Sequence, residues 1–492
     1  MKSLRLCAPG SGKTTRILQE AKETLQAGGS ATLLAFGKKN AQEMQRRIGW
    51  LPDEQKNRLL IRTIHAEAYW HMKARPETNL TKFLFENDKD FGLRFSDKAK
   101  KFAGLSDEYW TNPSLIESDS DDDIAYAEVQ RLRAEGLSYK DTPFLSPMAD
   151  KVRHIWFILQ DGFKRGYWDF LRLLEYADET HLTFKADYVG IDEINDLTPL
   201  QCRIVARSEG KKVVFCGDLN QSIYSFLGVK QDAILALPHE TVEYQNESYR
   251  LPSTIAAMAD AIVSRLDTPP THKIIPLNGT GNVIKNGNFH DVLLQLPALS
   301  NALVLGRTNY IVEKAKKQAL AHGANVIMSD DEILIQELYK LTQERPMTFP
   351  LSKLGCVLGS WVPSSRFWKY GAKTALMKKV GESNKQFMPW NELYEYGTPD
   401  LKNLLEGRVF LEGLRPGFDA TKPFVRLMTT FAAKGLEEAT TVVLRDIDTK
   451  VRNNLFQNSQ SEIRLAYVAC TRSSRTMFIT QLDGAKLSQY LA

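Results

Sequence analysis

Leu4-Arg5-Leu6-Cys7-Ala8-Pro9-Gly10-Ser11-Gly12-Lys13-Thr14-Thr15 is the stretch that decides how this chain folds. A short apolar run gives way to two glycines, and a helical pattern opens at Lys13. That order is strand, loop, helix. Glycines let backbone N–H groups close on phosphate oxygens, and a helix start adds the positive end of its dipole. Ala8, Pro9, Gly10, Ser11, Gly12, Lys13, Thr14 and Thr15 are therefore candidate nucleotide-binding residues. Lys13 would reach the β- and γ-phosphates, and the Thr14 hydroxyl would hold Mg²⁺. Cys7 stands where the strict pattern has its first glycine.

Such a loop needs a carboxylate at the end of another strand. Asp192-Glu193 follows the apolar run 188–191 directly. Asp192 would hold the metal of a Mg²⁺–nucleotide complex through water, and Glu193 would polarise the attacking water as general base. Residues 31–36 and 212–216 are further apolar runs between helical patterns. Continuous apolar runs, rather than alternating ones, point to a parallel sheet covered on both faces. The pattern recurs at 302–305, 425–428, 441–444 and 476–480. The expected fold is α/β, with two P-loop-type domains of parallel strands flanked by helices, each carrying an inserted subdomain. The first would comprise 1–70 and 186–247, the second 248–345 and 423–492. Residues 71–185 read as a mainly helical insertion, with the acidic run 117–123 as a solvated loop. Residues 346–422 form a short second insertion. Its segment 365–385 interleaves lysines with Phe367, Trp368 and Tyr370, which suits either a phosphate-tracking surface or a solvated face over a core built on Trp361, Trp368 and Trp390.

Composition sets the outer limits. The chain has 492 residues, 43% hydrophobic and 25% charged, which is ordinary for a globular protein of several domains. Its net charge of +5 is compatible with a polyanionic partner. Cys7, Cys202, Cys216, Cys356 and Cys470 are scattered, with no Cys-x-x-Cys pair, so neither a disulfide framework nor a zinc site is expected. No apolar stretch is long enough to span a bilayer. A soluble cytoplasmic protein is expected, in a bacterium or, for a virus-encoded chain, in its host.

Several further segments fall in a recognisable order. Phe215-Cys216-Gly217-Asp218-Leu219-Asn220-Gln221-Ser222-Ile223-Tyr224-Ser225-Phe226 is similar to the UvrD/Rep helicase segment that senses the γ-phosphate and touches DNA. The run Ala35-Phe36-Gly37-Lys38-Lys39-Asn40 and the triplet Thr63-Ile64-His65 resemble that family's first DNA-contacting motifs. Ser248-Tyr249-Arg250 resembles the family's motif at the junction of its two core domains, and Gly306-Arg307-Thr308-Asn309 resembles a following strand-end motif. Met428-Thr429-Thr430-Phe431-Ala432-Ala433-Lys434-Gly435-Leu436-Glu437 and Arg464-Leu465-Ala466-Tyr467-Val468-Ala469-Cys470-Thr471-Arg472 resemble its last two.

The resemblance implies two RecA-like domains with ATP and Mg²⁺ between them. It implies Gln221 as phosphate sensor, and Arg250 and Arg472 as arginine fingers, a role that suits a planar, permanently charged fork. Tyr249 would stack on the base and Glu437 would bond the ribose. Phe36, Lys39, Thr63, His65, Tyr224, Phe226, Arg307 and Thr429 would contact DNA, with Phe36 and Phe226 as stacking platforms that tolerate any base. Phe226 reads equally well as a core residue. The chain departs from the pattern at Asn195, Phe226, Leu227, Phe431 and Ala432. Little sequence precedes the loop, so base selectivity is expected to rest on Tyr249.

The activity implied is an ATP-dependent DNA helicase or translocase, 3′ to 5′, acting as a monomer on single-stranded DNA and on single-strand/duplex junctions. Replication or repair proteins are the candidate partners, and no membrane is. The alternatives are a translocase that strips bound proteins with little unwinding, and a nucleotide-gated DNA-binding scaffold.

Overall fold

The computed structural model describes residues 1–48, 51–75, 121–268, 273–285, 287–296, 301–327, 349–350, 387–396, 423–447, 459–482 and 486–487. The basic and aromatic segment 365–385, Trp361, Trp368 and Cys356 lie outside them, as do the side chains of Lys39 and Trp390.

Two six-stranded, all-parallel sheets organise the molecule. The first contains β1 (Lys2–Cys7), β2 (Ala31–Ala35), β3 (Leu59–Thr63), β4 (Tyr188–Ile191), β5 (Lys212–Gly217) and β6 (Thr241–Gln245), in the order β3-β2-β4-β5-β1-β6. The second contains β7 (Asn282–Lys285), β8 (Ala302–Gly306), β9 (Val326–Ile327), β10 (Val425–Thr429), β11 (Glu438–Leu444) and β12 (Ser473–Thr480), in the order β9-β10-β8-β11-β12-β7. This is the α/β architecture expected, two parallel sheets with both faces of each sheet covered. In the first, Cys7, Leu33, Tyr188 and Val214 pack with Ile17, Leu25 and Met44 of the helices Lys13–Gln26 and Lys38–Ile48. Leu4, Leu6, Val189 and Phe215 pack the other way, with Leu200 and Ile204 of the helix Pro199–Ala206. Burial on both faces explains why these strands read as continuous apolar runs.

Parallel pairing brings the strand ends to one rim. β1 lies between β5 and β6, and β4 is the next strand beyond β5. The loop after β1, the Asp218 segment after β5 and Asp192-Glu193 after β4 therefore sit side by side, although they lie far apart in sequence.

Some expectations on local structure are corrected. The apolar run 31–36 is a strand only as far as Ala35, and the helix Lys38–Ile48 follows it. β3, β6, β7 and β9 were not anticipated; β6 and β7 are largely exposed edge strands without an apolar run. The acidic run is not a loop throughout. Asp121 and Asp122 open the helix Asp121–Glu135, where carboxylates oppose the helix dipole favourably, and Lys151 pairs with both at 3.3 and 3.0 Å. The rest of the described insertion is helical, with Met148–Lys164 and Phe170–Glu179.

Candidate nucleotide site between the two sheets

Gly10 and Gly12 have positive φ, at 72° and 78°, as the tight phosphate-loop turn requires. A Cβ on Gly10 would clash with Arg250 Cβ, so only glycine lets the loop pass this close to the segment after β6. That contact is fixed by the Tyr249 N–H donating to Gly10 O at 3.0 Å and the Ser248 hydroxyl donating to Pro9 O at 2.6 Å. Gln245 also donates to Ser11 O.

Lys13 Nζ lies 2.9 Å from a Glu193 carboxylate oxygen. Thr14 Oγ1 donates to Asp192 Oδ2 at 2.6 Å, and Asp192 Oδ1 accepts the Glu193 N–H at 3.0 Å. Glu193 occupies the left-handed region (φ 55°), a conformation that costs a non-glycine residue about 1–3 kcal/mol. The turn aims its carboxylate back at Lys13. Burial pushes both carboxyls up. For Asp192, burial and the adjacent Glu193 raise the value to about 6. For Glu193, the cations Lys13 and Lys434 outweigh burial and hold it near 2. Lys13 is buried too, yet Glu193 and Asp192 keep it above the usual lysine range.

The Ser11 hydroxyl and Glu193 Oε2 are buried without a hydrogen-bond partner among the described residues. Orphaned polar atoms in a glycine turn that also holds a lysine and a hydroxyl–carboxylate pair fit a bound Mg²⁺–nucleotide. Thr14 and Asp192, joined by that hydrogen bond, are the candidates that would hold its metal. Thr15 faces away, with its hydroxyl accepting from Arg47.

The second sheet contributes cations across the cleft. Arg472 is 1% exposed; it donates to Gln221 Oε1 at 3.1 Å, to Leu436 O at 3.2 Å and to Val468 O at 3.0 Å. Burial and the neighbouring Arg250 lower it to about 9. Arg250 bonds Glu437 and donates to Thr471 O at 3.2 Å, so Glu437, expected on a ribose, here pairs with the expected finger. Tyr249 is 67% exposed beside the loop, with its ring unburied.

Two residues were overlooked in the sequence. Lys434 donates to Asp196 Oδ1 and, at 2.7 Å, to Gln221 O; it is the only cross-domain contact to both segments among the described residues. Asp196 and Asp218 are each pushed up to about 6, burial being the main cause. Their signal was present: Asp196 closes Asp192-Glu193-Ile194-Asn195-Asp196, and Lys434 lies two residues before Leu436 in a quoted motif. Asn195 Oδ1 accepts the Asp218 N–H at 3.0 Å and so ties the β4 and β5 ends together.

Of the expected DNA contacts, Phe36, Tyr224 and Phe226 come together. Phe36 and Tyr224 stack at 6.1 Å, and Tyr224 meets Phe226 edge-on at 6.0 Å. Phe431 of the second domain joins them at 6.3 and 5.7 Å, beneath Arg307. Phe36 and Phe226 are half-buried, while Tyr224 is buried with Lys434 4.9 Å over its ring. Arg307 pairs with Glu462 at 2.7 Å. Thr63, His65 and Thr429 are buried; Thr63 caps the helix Ile64–Lys73 by accepting from the Ala66 N–H.

With that geometry in view, comparison with known proteins is specific for the first half of the chain: the UvrD/REP helicase N-terminal domain matches residues 2–241. DNA helicase II of Escherichia coli strain K12 is 25% identical over 286 residues, which is 53% of this chain and 38% of that protein. DNA helicase II of Salmonella typhimurium strain LT2 is 25% identical over 285 residues, with the same coverage. The alignment thus spans well under half the length of these relatives. A solved structure titled "The structure of PRRSV helicase" overlays 98% of this chain and 52% of its own, at 8% identity and TM-score 0.36. The matched segment holds Lys13, Thr14, Asp192, Glu193 and Gln221, whereas Arg250, Lys434, Glu437 and Arg472 lie beyond it. No helix among the described residues is long and apolar enough to cross a membrane.

Proposed function

We propose that this protein hydrolyses ATP at the cleft between its two sheets and uses the cycle to move along single-stranded DNA and separate strands. The observation that carries the reading is the meeting, at one rim, of Lys13, Thr14, Asp192 and Glu193 with Gln221, and the approach of Arg472 to Gln221 from the other sheet. Phosphoryl transfer asks for this set: a cradle, a metal ligand, a base and a positive fork. Thr14 and Asp192 would hold Mg²⁺, whose chemistry is to neutralise charge on the β- and γ-phosphate oxygens.

Glu193 would accept the proton of the attacking water. Its low value leaves it ionised at neutral pH, and once phosphate draws Lys13 away, the carboxylate becomes available. Arg472 and Arg250 would meet the charge developing on the transferred phosphoryl group. Closure and opening of the cleft would shift Phe431 and Arg307 against Phe36, Tyr224 and Phe226, moving a strand stacked there. The 3′ to 5′ polarity rests on family resemblance, as does monomeric action. The test is ATP turnover with and without single-stranded DNA, paired with unwinding of 3′- and 5′-tailed duplexes. Turnover that DNA does not accelerate overturns the motor. DNA-accelerated turnover without strand separation leaves a translocase that clears bound proteins.

A further inference from the structure

Trp70 is an exposed aromatic that the proposed cycle does not use. It lies on the helix Ile64–Lys73, whose buried side is Ile64, His65, Ala68 and Met72. Trp70 points the opposite way and is 48% exposed. Arg62 and Lys73 lie over its ring, at 5.4 and 4.8 Å from the centroid, and Tyr69 meets it edge-on at 6.0 Å. Glu67 pairs with Arg62 at 2.7 Å. Between residues 62 and 75 the chain carries Arg62, Lys73 and Arg75 against the single carboxylate Glu67.

We propose that Trp70, with Arg62 and Lys73, is a stacking site for a base of single-stranded nucleic acid on the outer side of the first domain. The inference rests on the motor reading and extends the strand's path beyond the Phe36–Phe226 cluster. An indole left in water forgoes the burial its size would give, and the surrounding charge has the sign that phosphates seek. A π-face takes any base, and Lys73 can turn from the ring to a phosphate while Arg62 stays paired with Glu67. The helix starts at Thr63, where β3 ends beside β2 and Phe36, so Trp70 lies about 10 Å along the helix axis from that end. That is about three nucleotides at the 3.4 Å per-strand rise.

The test is the affinity of the full chain for labelled oligothymidylates of about 6 and about 16 nucleotides. Trp70→Ala should bind the longer strand about tenfold more weakly and the shorter one unchanged. Trp70→Phe should recover most of the loss, and turnover without DNA and melting temperature should stay at wild-type values in both variants. Wild-type affinity of Trp70→Ala for the longer strand overturns the site. A loss equal at both lengths and accompanied by a lower melting temperature also overturns it, because Trp70 is then a packing residue. A wild-type chain that binds neither strand overturns the motor reading, whereas a binding wild type with an indifferent Trp70→Ala overturns this inference alone.

Discussion

Replacing Lys434 with Met should destabilise the protein by an amount that depends on pH. Lys434 is 9% exposed at the side chain and donates to Asp196, itself 4% exposed, and to Gln221 O. Methionine keeps the stem and removes the charge. Breaking a buried ion pair costs about 3–5 kcal/mol when the remaining charge has no escape. Here it has one, because Asp196 can take a proton. Burial already sets its value near 6, so protonation at pH 7.5 costs about 1.5 units, or roughly 2 kcal/mol. Losing the lysine raises Asp196 further and lowers that ceiling. The hydrogen bond to Gln221 O adds about 1 kcal/mol.

The sign follows from linkage. A carboxyl raised by folding contributes stability that is present below its unfolded value near 3.8 and lost as pH rises through about 6. Lys434→Met should therefore lose about 2–3 kcal/mol at pH 8 and about 1 kcal/mol at pH 5.5. Thermal melts of both proteins in matched buffers at the two pH values check this. An equal loss at both would show that Asp196 does not take the proton.

Three further outcomes are expected. Lys13→Ala should abolish ATP hydrolysis, read by phosphate release, and should also lower the melting temperature, because it leaves the buried Glu193 carboxylate without its nearest cation; near-normal turnover would remove the phosphate-loop assignment. Arg472→Lys should lower kcat by about 10³-fold while nucleotide affinity changes far less, since lysine keeps the charge but not the fork that reaches Gln221. Mg²⁺–ATP binding should release protons near pH 6 and almost none at pH 8, because Asp192 stands near 6 and must be ionised to hold the metal; calorimetry in buffers of different ionisation heat reads the number, and release independent of pH would exclude Asp192.

The sheets were legible wherever both faces of a strand are buried. Residues 188–191 and 302–305 announce themselves as apolar runs, and the structure places both in the middle of their sheets. Thr241–Gln245 carries Val242 and Tyr244 exposed, so nothing in its composition separates it from a loop; pairing with β1 alone makes it a strand. Asp192 and Glu193 could be placed beside Lys13 because a phosphate loop demands an acid at a strand end. Lys434 could not be placed on Asp196, since that pairing is set by how the second domain docks on the first. Phe431 reads in the sequence only as a departure from the pattern, whereas its packing on Tyr224 and Phe226 appears once the two sheets meet.

That docking surface explains why a nucleotide and a strand would feel each other. Gln221 is held from three directions: by Asp218 through its amide at 2.9 Å, by Arg472 at its side-chain oxygen, and by Lys434 at its backbone oxygen. Lys434 also lies over Tyr224, which stacks on Phe36. A triphosphate that draws Lys13 from Glu193 removes the nearest cation from that carboxylate and leaves Lys434 and Arg472 to answer it. Either cation can move toward Glu193 only by loosening Gln221 or Asp196. Because the same ammonium group covers Tyr224, the carboxylate end and the aromatic end of the cleft cannot change independently. Strand stacking on Phe36 and Phe226 would bias the position of Lys434, and phosphate at Lys13 would bias the aromatic cluster by an equal free energy, as reciprocal coupling between two sites requires.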